Sequence, residues 1–192
     1  EERRERIGAV DERVERGDRV PPRARGLASR GEGRLERRDR AADRVAGKIR
    51  RLVYWNAFVP NDGEALDDMI PPIYIDLFNE LVQDDGSFSL PFPIWREAFI
   101  NDASYEAAQS AYDQLNPHPR KTFSDPIKLS INPSEFTIPK SYLNCTEDTA
   151  LPHHEPWHPR LSQKLGLFRL VQTPGSHELC FTDPALLARK IL

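Results

Sequence analysis

The chain has few cysteines, almost no methionine and no long apolar run, and its first quarter contains no aromatic residue at all. Two cysteines among 192 residues, Cys145 and Cys180, make no disulfide framework, so a reduced, cytoplasmic setting is the default expectation. No apolar stretch approaches the roughly 18 residues that cross a bilayer, and no apolar h-region opens the chain, which argues against membrane insertion and secretion. The only methionine is Met69 and the sequence begins at Glu1, so the first residue is not expected to be a translation start. No aromatic residue precedes Tyr54, and only two of the 17 prolines do.

What is present divides unevenly. Residues 1–51 carry 16 arginines and one lysine against 11 acids, a formal +6, whereas residues 52–192 carry 10 basic residues against 19 acids, a formal −9. The first part has little with which to build a core. Ile7, Val10 and Val14 recur at helical spacing until Pro21-Pro22 stops the pattern, and 23–40 is arginine, glycine and acid without an apolar face. Leu35, Ala42, Val45 and Ile49 then suggest a helix ending near Gly47. An arginine-rich arm could neutralise phosphates, but the 11 interspersed acids and the missing aromatics argue against nucleic acid as a partner. The domain division read from this is 1–47, a partly helical or disordered arm, and 48–192, a segment of the common size for one domain.

From Leu52 the character changes. Leu52-Val53-Tyr54-Trp55-Asn56-Ala57-Phe58-Val59 is apolar, aromatic and β-branched and is closed by Pro60-Asn61-Asp62-Gly63, which predicts a buried strand feeding a turn. Helical patterns follow at 73–82, 94–100 and 105–115, separated by Asp84-Asp85-Gly86 and Pro91-Phe92-Pro93. They predict a helical subdomain, a cap, over roughly 64–125. Strand patterns return at 142–145 and 168–171 with a helix around 157–165 between them. A last helix is expected over 184–192, with Asp183 as N-cap and Pro184 at its first position. Strands alternating with helices imply an α/β fold with a mostly parallel sheet.

In such sheets catalytic groups gather beyond the C-terminal ends of the strands. Asp148, in Cys145-Thr146-Glu147-Asp148, and His177, in Gly175-Ser176-His177, both fall there. A histidine acting as general base needs a carboxylate on its other ring nitrogen, and the order acid then histidine suits this fold. Spacing alone leaves the alternative open, since acids and histidines are common on surface loops.

These motifs carry a resemblance. Lys48-Ile49-Arg50-Arg51-Leu52-Val53-Tyr54 with Ala57-Phe58-Val59-Pro60, then Leu115-Asn116-Pro117-His118-Pro119 with Thr122-Phe123 and Asp125-Pro126, then the Asp148 and His177 loops, resemble in order the C-terminal half of the α/β-hydrolase superfamily. The similar branch includes plant methyl esterases, hydroxynitrile lyases and small bacterial esterases. The resemblance covers about three quarters of the chain. It implies a partial α/β-hydrolase fold with a helical cap, a small apolar ester as substrate or ligand, carboxylic ester hydrolysis by a serine with His177 and Asp148, and no cofactor.

The sequence departs from that pattern in one respect. The family's Gly-x-Ser-x-Gly elbow, expected some 15 to 20 residues before Lys48, is not there; the window reads Leu27-Ala28-Ser29-Arg30-Gly31. Ser29 has the wrong flanks for an elbow. Catalysis is therefore expected to be impaired as written, and a noncatalytic ligand-binding or interaction role on a truncated scaffold is the alternative. The arm itself reads either as an out-of-frame stretch of GC-rich coding sequence or as a genuine basic extension.

Other groupings are weaker. His153-His154-Glu155 and His158 offer an i,i+4 histidine pair, but Pro152, Pro156 and Pro159 break the helix that a metal site would need, so no metal is expected. Phe88, Phe92, Trp95 and Phe99 could line an apolar pocket and are more simply read as core. Cys145 and Cys180 read as buried packing residues rather than nucleophiles. Self-association is compatible with all of this.

Overall fold

The computed structural model describes residues Ala46–Leu192. The 7–14 helix and Ser29 lie outside the described residues, and of the helix expected to end near Gly47 only a short 3-10 turn, Ala46–Lys48, is described. Three parallel strands form the main sheet: β1 (Leu52–Trp55), β4 (Lys140–Cys145) and β5 (Arg169–Thr173), in the order β1-β4-β5. Leu52 pairs with Lys140 and Trp55 with Leu143, while Ser141 pairs with Arg169 and Cys145 with Thr173. Between β1 and β4 run α1 (Pro72–Glu80), β2 (Ser87–Phe88), α2 (Phe92–Phe99), α3 (Tyr105–Tyr112), β3 (His118–Pro119) and α4 (Lys121–Ser124). After β5 come α5 (Leu179–Thr182) and α6 (Pro184–Ile191). An α/β architecture built on a parallel sheet is thus present, as the alternating patterns required.

Alternation along the strands sets the core. Tyr54 and Tyr142 point to one face and join Leu66, Phe78, Trp157 and Leu161. Leu143 and Cys145 point to the other, against Leu179 and Leu187. Side chains one residue apart in a strand face opposite ways, so a central strand covered on both faces is apolar almost throughout. Tyr142 is wholly buried and its hydroxyl still finds partners: it donates to Ala57 O at 2.9 Å and accepts from Ala57 N at 3.2 Å. Burial raises the phenol's pKa well above its ordinary value, so it stays a donor at any working pH. Lys140 opens the same strand, also buried. Its ammonium donates to Pro133 O, Ser134 O and Phe136 O, which ties the preceding turn to the sheet, and desolvation lowers its pKa.

Several expectations need adjustment. The first strand stops at Trp55 rather than running to Val59, because Asn56 takes φ +35° and turns the chain off the sheet. Pro91-Phe92-Pro93 does not separate helices but starts α2, with Pro93 in the first turn, where a missing N–H costs nothing. The helix expected near 157–165 is two distorted turns, Trp157–Leu161 and Ser162–Leu165, broken at His158, which is extended and precedes a cis proline. The last helix follows its signals closely: Asp183 caps it through Leu186 N–H at 2.8 Å. The short antiparallel pairing of β2 with β3 has no counterpart in the sequence reading.

Tyr142 yields a direct test of this packing. Tyr142→Phe keeps the ring but strips both Ala57 backbone groups of their hydroxyl partner, and should cost about 1–3 kcal/mol of stability in urea unfolding.

Candidate functional site

The parallel register Cys145↔Thr173 brings the loops after β4 and β5 side by side at the C-terminal edge of the sheet. Backbone bonds continue the pairing past the strands: Thr146 N–H donates to Thr173 O and Glu147 N–H to Gly175 O. Glu147 returns a carboxylate oxygen to Gly175 N–H at 3.1 Å. Gly175 adopts φ +115°, and a Cβ there would sit 2.6 Å from Leu179 Cδ1, so only glycine allows the turn that delivers His177.

The end of α2 holds both loops. Asn101 Nδ2 donates to Glu147 O, Thr149 Oγ1 to Glu97 O, and Glu178 N–H to Phe99 O. Asp102 accepts from Ser176 N–H and from Thr182 Oγ1, both at 3.1 Å.

Within this frame Asp148 Oδ2 lies 2.7 Å from His177 Nδ1, with the Asp148 side chain fully buried and that of His177 21% exposed. A carboxylate can only accept, so Nδ1 carries the proton and the neutral imidazole keeps its lone pair on Nε2. That nitrogen has no hydrogen-bond partner among the described residues. The other carboxylate oxygen accepts from Ala150 N–H at 2.8 Å, and Asn56 Nδ2 donates to Oδ2 at 2.5 Å. The ring of His177 is gripped by Phe99, edge-on at 5.1 Å, and by Trp157, tilted by 32° at 5.2 Å. Such an imidazole has a set tautomer and orientation and can take a proton from a group placed at Nε2.

His177 borders a cavity of about 490 Å³ whose walls include Tyr74, Phe78, Trp95, Phe99 and Trp157. A mostly apolar concavity with one oriented imidazole suits a small ligand that is largely hydrocarbon. Of the four aromatics singled out in the sequence, Phe88, Trp95 and Phe99 line the cavity, and Phe88 and Trp95 are buried as well, so core and pocket wall are the same surface. Phe92 packs instead on Tyr105 and Tyr112.

The remaining groupings fall elsewhere. No cluster of three or more histidine, cysteine or acidic side chains suited to a metal occurs among the described residues. His153 and His154 are exposed, and His158 Nδ1 meets Ser162 Oγ at 2.7 Å. Ser162 is wholly buried and its hydroxyl donates to Pro159 O, so this serine and histidine form a structural contact and not a nucleophile pair. Cys145 is buried, whereas Cys180 is half-buried, packed against the cluster of Leu143, Cys145, Leu179 and Leu187 without being enclosed by it, which corrects its reading as a buried residue but keeps it as a packing one. The sequence reading also passed over Asn56 and Trp157. A lone amide inside the apolar run 52–59 was the available signal for the first; Trp157 carried none, since its contact with His177 is purely tertiary.

The parallel sheet with its flanking helices defines the class: the described residues are part of an α/β-hydrolase fold. Solved structures carry the likeness further, to the plant methylesterase-like branch. An extracellular α/β-hydrolase from a Paenibacillus species, described as sharing structural and functional homology with tobacco Salicylic Acid Binding Protein 2, is 35% identical, with a TM-score of 0.74 over 78% of this chain and 63% of its own. A pyrethroid hydrolase from Sphingobium faniae is 21% identical at TM-score 0.63 over 81% and 64%. A methylesterase from Arabidopsis is 17% identical at 0.60 over 81% and 63%. The last two show the fold alone. The chain therefore spans just under two thirds of the length of these proteins. No protein-family model and no curated protein matches the sequence.

The thiols offer a check on site burial. Burial pushes Cys145 and Cys180 up to about 11, with Glu178 adding to the effect at Cys180. At pH 8 only about one thiol in a thousand is then ionised. A disulfide reagent should react slowly with the folded chain, accelerate roughly tenfold per pH unit toward pH 11, and react at once after unfolding.

Proposed function

We propose that this chain carries the acid and base half of a carboxylic ester hydrolase together with its substrate cavity. The observation that supports the reading is the buried Asp148 carboxylate on His177 Nδ1 at the mouth of an apolar cavity. In this reading a serine hydroxyl attacks the ester carbonyl while His177 Nε2 removes its proton. The tetrahedral species collapses with cleavage of the ester C–O bond, and the proton passes from Nε2 to the departing alcohol. Water then enters and attacks the acyl carbonyl as Nε2 takes one of its protons; collapse breaks the bond to the serine oxygen, Nε2 returns the proton to that oxygen, and the acid leaves. Asp148 holds the imidazole in the productive tautomer and stabilises the imidazolium. The same reading takes 48–192 as the C-terminal part of the hydrolase domain, 1–47 as a separate arm, and 64–125 as the cap that closes the cavity above His177. A reduced, cytoplasmic compartment fits the two unpaired thiols.

The 192-residue sequence contains no Gly-x-Ser-x-Gly elbow. Removing the nucleophile from a triad costs on the order of 10⁶ in kcat. We therefore expect ligand binding to outlast turnover, which favours as second reading a noncatalytic binder of small apolar esters. No helix among the described residues is long and apolar enough to cross a membrane.

The test pairs binding with chemistry. The purified chain is titrated with a short-chain aryl ester while tryptophan fluorescence is followed, since Trp95 and Trp157 line the cavity; it is also exposed to a fluorophosphonate probe. Saturable quenching without covalent labelling, and ester cleavage within about tenfold of the buffer rate, is the expected result. Stoichiometric labelling with rapid turnover would overturn the impairment and reveal a competent serine. Absence of saturable quenching would overturn the cavity as an ester site.

A further inference from the structure

Asn56 stands where the sheet hands over to the site. Its backbone N–H closes the β1–β4 ladder on Leu143 O at 2.9 Å, and its φ of +35° then turns the chain away. Asparagine is among the few residues that tolerate this region. Because β1 ends here while β4 continues to Cys145, the Cys145 N–H has lost its strand partner. The Asn56 side chain supplies one: Oδ1 accepts from Cys145 N–H at 2.8 Å. That contact also orients the amide, since a backbone N–H can only donate, so the group facing Asp148 must be the NH₂. Nδ2 donates to Asp148 Oδ2 at 2.5 Å, the same oxygen that receives His177 Nδ1–H. Asn56 is 4% exposed, so no water competes for the position.

We propose that Asn56 is the positioning residue of the acid–histidine pair, clamping the Asp148 carboxylate in the plane that meets His177 and sharing with it the charge on Oδ2. The proposal rests on the reading of Asp148 and His177 as catalytic partners, but its geometry stands whether or not the chain turns over. A carboxylate oxygen that accepts from an amide and from an imidazole is a weaker base than one that serves the imidazole alone. Asn56 thereby limits how strongly Asp148 holds the imidazolium. Other charged groups near the pair are committed elsewhere. Glu147 accepts from Gly175 N–H, and Asp102 from Ser176 N–H and Thr182. Glu178 contacts Cys180 Sγ at the cavity rim. None of them hydrogen-bonds Asn56.

The decisive experiment is an NMR pH titration of the His177 ring in the full chain, comparing wild type with Asn56→Ala. Loss of the amide donor should raise the His177 midpoint by about one pH unit, because the carboxylate then leans on the imidazolium alone. An unchanged midpoint in a folded variant overturns the proposal. Asn56→Gly, which accepts positive φ without strain, carries the same readout if the alanine variant unfolds. The wild type supplies a measurement that needs no variant. One Asn56 side-chain amide proton should lie downfield of the range shown by the exposed asparagine side chains and be protected from exchange, and a proton pair within that range and in free exchange would overturn the clamp. Neither readout involves turnover, so an inactive chain with a shifted midpoint separates failure of the esterase reading from failure of this one.

Discussion

A carboxylate with no exposed surface holds the site together. Asp148 is an ionisable group moved out of water, and such a group persists as an anion only if donors replace the water it loses. Here three do so, from three parts of the chain: Asn56 at the end of β1, Ala150 in the loop after β4, and His177 in the loop after β5. Removing any of them leaves a buried negative charge less compensated. The same contacts that make the carboxylate tolerable also set the imidazole's tautomer and aim, so solvation of the charge and geometry of the pair are one requirement.

The parallel sheet is what makes those three donors available. Strands that run the same way end at the same edge, and the register of β1, β4 and β5 brings their three exits within hydrogen-bonding reach. The end of α2 then braces the exits from above through Asn101, Asp102 and Phe99. Phe99 serves twice, since its carbonyl anchors the histidine loop and its ring packs against His177. Movement of the helical segment would therefore be felt at the imidazole. The cavity wall and the brace are parts of one element, since Trp95 and Phe99 also line the cavity.

A nucleophile in its usual setting is what the sequence lacks, and nothing about the acid–histidine pair requires it to be present. Asp148 is compensated by its own donors, and His177 is held by two aromatic rings. The pair therefore keeps its geometry in a chain spanning just under two thirds of the length of its structural relatives. The shape of the cavity, set by packed aromatics, is likewise independent of any group delivered to Nε2.

The sequence by itself determined the local elements and the candidate pair. Apolar strand runs, the Asp183-Pro184 helix start and the acid and histidine after successive strands are encoded in near neighbours, where periodicity and turn chemistry act over a few residues. Spacing from the strands placed Asp148 and His177 at one edge of any parallel sheet, and the family resemblance singled them out as a pair. Tertiary structure alone decided the rest. Asn56 looked like one polar residue in a strand, and only the early end of β1 beside a longer β4 turned its amide toward Asp148. Trp157 became a wall of the site through a distorted turn that a helical pattern did not foresee. Phe88 and Phe92 are equivalent as letters, yet one lines the cavity and the other packs on two tyrosines. Such differences depend on which surfaces meet across tens of residues, and no local pattern carries that information.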